Sequence, residues 1–140
     1  MKNPDKIPEN RKILAVDDTP DNLFLLEAIL SDEPNYHLSC AENGQLAIEA
    51  VKQSPPDLIL LDVMMPGMNG YEVTRQIRQD PNLPYIPILL VTAHEQISER
   101  QGLELGADGL VHKPFDIDLL LERIEDLLGC DCVTASYANA

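Results

Sequence analysis

Leu58-Ile59-Leu60-Leu61-Asp62 is a run of four large apolar residues that stops on a carboxylate. It has the length of a strand, and neither side of the alternation is polar, so both of its faces need covering. Three further runs repeat the pattern. Ile13-Leu14-Ala15-Val16 ends at Asp17-Asp18, Ile88-Leu89-Leu90-Val91 at Thr92, and Leu110-Val111-His112 at Lys113-Pro114. Sheets covered on both faces bind ligands at the carboxyl ends of their strands. If the four runs are neighbours, three carboxylates, a hydroxyl and an ammonium meet at one sheet edge.

Between the runs the apolar spacing becomes helical. Pro20, with Thr19 as N-cap, opens a helix whose one face carries Leu23, Leu26, Ile29 and Leu30. A short strand is expected at 36–41. A second helix follows at about 43–53, burying Leu46, Ala47, Ala50 and Val51 until Pro55-Pro56 stops it. Met64 to Asn69 read as a Pro/Gly loop, shaped by Gly67 and Gly70 as simple turn formers. The next helix carries Val73 and Ile77 and leads to the connector 80–87. The segment 95–105 is polar, contains Gly102 and is the weakest helix. The last helix places Ile117, Leu120, Leu121, Ile124, Leu127 and Leu128 on one stripe. Strands alternating with helices predict an α/β fold, a (βα)5 doubly wound parallel five-stranded sheet. Right-handed crossovers favour the flavodoxin-like strand order 2-1-3-4-5, which sets Asp17-Asp18 beside Asp62. The domain is expected over 12–128, with a lead-in at 1–11 and a short tail at 129–140.

The 140 residues carry 24 acids against 10 bases, a formal charge of -14, which a nucleic-acid backbone would repel. Direct nucleic-acid binding is therefore not expected. Nor is membrane insertion, since no apolar stretch nears the ~18 residues of a span. The polar first ten residues do not resemble a signal peptide, and the expected location is cytoplasmic. Cys40 reads as a small buried hydrophobe, and Cys130 and Cys132 as unremarkable tail residues without zinc-site spacing.

Three close carboxylates repel one another unless a cation joins them. Oxygen-only donors favour a hard ion that keeps several waters, so Asp17, Asp18 and Asp62 read as a Mg²⁺ pocket, with the Met64 backbone carbonyl as a further ligand. Lys113 adds a point charge and Thr92 a hydroxyl donor. Metal, ammonium and hydroxyl around one carboxylate suit a phosphoryl group, and Asp62 can serve as the nucleophile that becomes an aspartyl phosphate. Ala93 is small enough to leave room for the incoming group.

These residues resemble those of the response-regulator receiver domains of two-component signalling, of the chemotaxis-regulator type. The resemblance rests on VDD (16–18), LILLDVMMPGMNG (58–70), PILLVTA (87–93), GADG (106–109) and KPF (113–115), and covers roughly 11–128. It implies that Asp62 is the phosphoacceptor, that Asp17, Asp18 and the Met64 carbonyl hold Mg²⁺, and that Thr92 and Lys113 bind phosphoryl oxygens. It also implies a cis Lys113–Pro114 peptide. The donor would be a phosphohistidine on a sensor histidine kinase or phosphotransfer protein. The phosphorylated form would bind a downstream protein target or a second copy, through a surface expected at 109–128.

Such a chain catalyses its own phosphorylation and dephosphorylation but is a signalling switch, not an enzyme. Met64 and His94 occupy positions that tune phosphoryl lifetime in the family, and an apolar Met64 cannot orient water. Leu110 stands where many receivers carry an aromatic switch residue, and its plain reading is as packing of the last strand. Two other functions compete. A docking module without chemistry has no need of the acidic pair, threonine and lysine. An aspartyl-nucleophile hydrolase needs an acid/base two residues after the nucleophile, where Met64 stands. The short tail favours a stand-alone receiver, with a receiver excised from a hybrid kinase or transcription factor as the alternative.

Overall fold

The strand order is β2-β1-β3-β4-β5, all parallel. In this computed structural model, residues 11–93, 98–114 and 116–138 are described, the side chains of Glu99 and of 130–138 excepted. The strands are β1 (Arg11–Val16), β2 (Tyr36–Ala41), β3 (Leu58–Asp62), β4 (Ile88–Thr92) and β5 (Gly109–His112). The helices are α1 (Pro20–Leu30), α2 (Gly44–Gln53), α3 (Gly70–Gln79), α4 (Glu99–Glu104) and α5 (Ile117–Ala138). The expected doubly wound α/β fold and its 2-1-3-4-5 order are therefore present.

Alternation along each inner strand feeds two cores. Leu14, Val16, Ile59, Leu61, Ile88 and Leu90 join α2 and α3 residues on one face. Ile13, Ala15, Leu58, Leu60, Leu89 and Val91 join Leu23, Leu26, Leu120, Ile124 and Leu128 of α1 and α5 on the other. Every residue of β3 and β4 is buried, which is why these strands show no polar alternation.

Several details differ from the sequence expectation. The buried stripe of α2 is Gly44, Ala47, Ile48 and Val51, so Leu46 is exposed; the stripe sits one helical step from where the sequence put it. Cys40 is exposed because β2 is the outer strand of the sheet. Ile117 is also exposed, at the very start of α5. Strand β1 begins at Arg11, inside the expected lead-in, and the α5 backbone stays helical to Ala138, through most of the expected tail. Helix α4 runs Glu99–Glu104, and residues 95–97 of the expected 95–105 lie outside the described residues. His94, Phe115 and residues 1–10 lie outside the described residues, as do the Cys130 and Cys132 side chains.

Two glycines act through close packing. A Cβ on Gly70 would lie 2.5 Å from the Asp62 carbonyl oxygen and 2.9 Å from Val63 Cα, so only glycine lets α3 start against the end of β3. Gly70 is thus a contact residue rather than a turn former, whereas Gly67, at φ +76°, does turn the chain. Gly102 is buried too, where a Cβ would meet Leu90 at 3.1 Å and Leu110 at 3.7 Å. What looks in the sequence like a weakness of α4 is the fit of that helix onto β4 and β5.

Candidate functional site

Pairing register builds the site. Val16 lies opposite Leu61 and Asp62 opposite Val91, so Asp17, one residue past its pair, leaves the sheet next to Asp62. Thr92 lies opposite His112, and the Lys113 amide donates to the Thr92 carbonyl at 2.8 Å. Each strand thus delivers its terminal polar residue to the same edge within about one residue of its neighbour.

Oxygens of Asp17, Asp18 and Asp62 all lie within 4.8 Å of one another, with Asp17 and Asp62 buried and Asp18 exposed. Lys113 Nζ donates to Asp17 Oδ2 at 2.7 Å and stands 3.6 Å from Asp62 Oδ1. The other Asp17 oxygen accepts from the Thr19 backbone N–H at 2.9 Å and from Asn22 Nδ2 at 3.3 Å. Thr19 holds the N-cap position of α1, yet its side chain makes no capping bond; its amide orients Asp17 instead. Sequence reasoning passed over this role of Thr19 and Asn22. The signal available was an aspartate two residues before an extended threonine, the pattern of an Asx turn.

Asp62 has an unusual proton affinity. Burial first, and then the charge of Asp17, push its carboxyl up from 3.8 to about 6. Lys113 and a hydrogen bond from the Met64 backbone N–H pull the other way, and Asp18 adds a smaller upward push. At neutral pH the carboxylate is nevertheless mostly ionised. The Met64 side chain is 58% exposed, so the residue meets Asp62 through its backbone. Thr92 is fully buried at the end of β4, and Ala93 directly after it is exposed. The Lys113–Pro114 peptide is cis. Leu110 is buried in the core on the α4 side of the sheet.

Three oxygen donors, two of them buried, with burial and then the neighbouring carboxylates raising the proton affinity of Asp62, make a donor set that fits a hard divalent cation. Residues 13–125 match the response regulator receiver domain family. The chain belongs to that family.

This receiver domain is 44% identical over 117 residues to the response regulator PleD of Caulobacter vibrioides, covering 83% of the chain and 26% of PleD. The chain thus spans about a quarter of that relative. It is 36% identical over 118 residues to the protein PilH of Pseudomonas aeruginosa, covering 84% of the chain and 97% of PilH. The receiver domain of the sensor histidine kinase PA1611 from Pseudomonas aeruginosa PAO1 superposes with a TM-score of 0.77 at 30% identity, covering 86% of this chain and 98% of that one. In that crystal structure a magnesium ion is coordinated in the active-site cleft. Among the described residues of this receiver domain, no helix is long and apolar enough to cross a membrane.

Proposed function

We propose that this receiver domain is a phosphoacceptor switch in which Asp62 takes a phosphoryl group from a phosphohistidine. The observation that carries the reading is the setting of Asp62: a buried carboxylate, ionised at neutral pH, 3.6 Å from the Lys113 ammonium and one strand from Thr92. An ionised Asp62 oxygen attacks the donor phosphorus as the P–N bond breaks. One P–O bond forms, and the electron pair of the old bond leaves with the imidazole, which then takes a proton from solvent. Lys113 and the Thr92 hydroxyl neutralise and orient the equatorial oxygens, the positioning on which phosphoryl transfer mainly depends. Asp17, Asp18 and Asp62, with the Met64 carbonyl, would hold Mg²⁺, which when bound offsets the charge of carboxylates and phosphoryl group together. Ala93 keeps the approach open.

The phosphoryl donor on this reading is a sensor histidine kinase or a phosphotransfer protein, working in the cytoplasm. The output is altered binding of a downstream protein or of a second copy. Leu90 and Leu110 pack against Gly102 of α4, so movement of Thr92 toward a phosphoryl group would pass to α4 through apolar contacts rather than through an aromatic side chain.

The test is phosphorylation with Mg²⁺ and acetyl phosphate, followed by intact-mass measurement. One phosphoryl group is expected in the wild type and none in Asp62→Ala. Labelling retained by Asp62→Ala, or absent from the wild type, would overturn the reading.

A further inference from the structure

Away from the acidic site, α1 and α2 flank the outer edge of β2 and enclose an open groove of about 810 Å³. Its apolar lining includes Leu23, Phe24, Leu46 and Ala50. Phe24 is 73% exposed and Leu46 45% exposed, although each is large enough for burial to be strongly favourable. Phe24 stands on α1 and Leu46 on α2, so the two exposed anchors occupy opposite walls.

The polar lining is of one sign. Asp21 and Glu27 line the groove from α1, and Glu42 and Glu49 from the β2–α2 side; all four are exposed and no lining residue is basic. A second copy of a chain with formal charge -14 would bring like charge to this rim. The walls run from Pro20 to Glu27 and from Leu46 to Gln53, two turns of helix each. That length suits two turns of a docked helix, with anchors at i, i+3 and i+7.

We propose that this groove docks an amphipathic helix of a partner protein whose apolar stripe is flanked by Lys or Arg. The apolar stripe covers Phe24 and Leu46, and the flanking cations face Asp21, Glu27, Glu42 and Glu49. None of the groove residues belongs to the acidic pocket, so docking can be measured in the unphosphorylated protein.

The probe is a fluorescein-labelled 14-residue helical peptide with Leu at the stripe positions and Lys on either side, titrated against the full chain by anisotropy. Binding is expected to weaken at least tenfold in Phe24→Ser and in Glu27→Lys/Glu49→Lys. It should be unchanged in Asp118→Lys/Glu122→Lys, a reversal of equal size on the exposed surface of α5. A peptide of the same composition with the stripe scrambled should bind at least tenfold more weakly. Amide chemical shifts should move at residues 20–27 and 40–53. Equal affinity for both peptides, equal affinity of wild type and Phe24→Ser, or shifts centred elsewhere would reduce the effect to unspecific charge attraction and overturn the proposal. A dimer in sedimentation velocity that is lost in Phe24→Ser would assign the groove to a second copy and overturn it equally. Acetyl phosphate labelling of Phe24→Ser should match the wild type, which confirms an intact fold and separates this test from that of Asp62.

Discussion

Replacing Asp62 by Asn should stabilise the metal-free protein at neutral pH. The side chain is only 7% exposed, sits within 4.8 Å of two other carboxylates, and has its carboxyl raised from 3.8 to about 6. In the unfolded chain the group titrates near its ordinary value. At pH 7.5 both states are ionised, and the folded state bears the whole cost of the charge. At about 1.36 kcal/mol per tenfold change in proton affinity, that cost is about 3 kcal/mol. Asn keeps the shape and removes the charge, so it recovers up to that amount. In a domain of this size the gain is on the order of 10 °C in Tm.

The sign is checked by pH. Between about 6 and 3.8 the folded wild type binds a proton that the unfolded chain does not. Wild-type stability therefore rises relative to the variant as pH falls through that window, and the gap closes near pH 4. The assay is urea unfolding followed by circular dichroism at pH 4, 6 and 7.5, in EDTA and in Mg²⁺. Mg²⁺ at about 100 times its Kd would add about 2.7 kcal/mol to the wild type and less to the variant, narrowing the gap at pH 7.5. A variant less stable than wild type at pH 7.5 in EDTA, or a gap independent of pH, would refute the electrostatic account of the pocket.

Further outcomes follow from the same geometry. Lys113→Met should raise the Asp62 proton affinity above its present value, since Lys113 is the largest influence lowering it; carboxyl carbon NMR titration of the metal-free protein reads this directly. Gly70→Ala should destabilise by about 1–3 kcal/mol in urea unfolding and disturb phosphorylation, because its Cβ would strike the Asp62 carbonyl. Arg78 donates to the Gly106 and Ile86 carbonyls and to Asp108, which also accepts from Tyr85 and the Ile88 amide. Arg78→Met should therefore cost about 2–3 kcal/mol, and Arg78→Lys should recover little of it, since one ammonium cannot replace the planar fork. Met64→Asn should shorten the phosphoryl lifetime severalfold in a decay assay, because an amide can orient the attacking water where a thioether cannot; an unchanged or longer lifetime counts against that role.

The strands were the most legible part of the chain. Leu58–Asp62 and Ile88–Thr92 have no polar alternate positions, and burial of every residue in β3 and β4 is the reason. Helix faces were less legible where hydrophobicity competes with partnership. Leu46 is as apolar as its neighbours, but the α2 stripe that meets the sheet runs through Gly44, Ala47, Ile48 and Val51. Cys40 is apolar in a strand and still exposed: the expected strand order already made β2 an edge, and it is the side chain's local apolar setting that misled. Gly70 and Gly102 read locally as a turn and a weakness. Their purpose depends on backbone and side chains from β3, β4 and β5 that lie far away in sequence.

By itself, the sequence determined the alternation of strand and helix, the two-sided sheet and which polar residues end each strand. All of these follow from periods of two and 3.6 residues that covalent geometry imposes locally. The tertiary structure alone decided what those ends do to one another. With β1 against β3, as the crossover rule already implied, folding brings Lys113 to 2.7 Å from Asp17 and buries Asp62, and burial together with the Asp17 charge lifts the Asp62 carboxyl to about 6. Charge interactions and desolvation depend on distance through space, and no spacing along the chain encodes that distance.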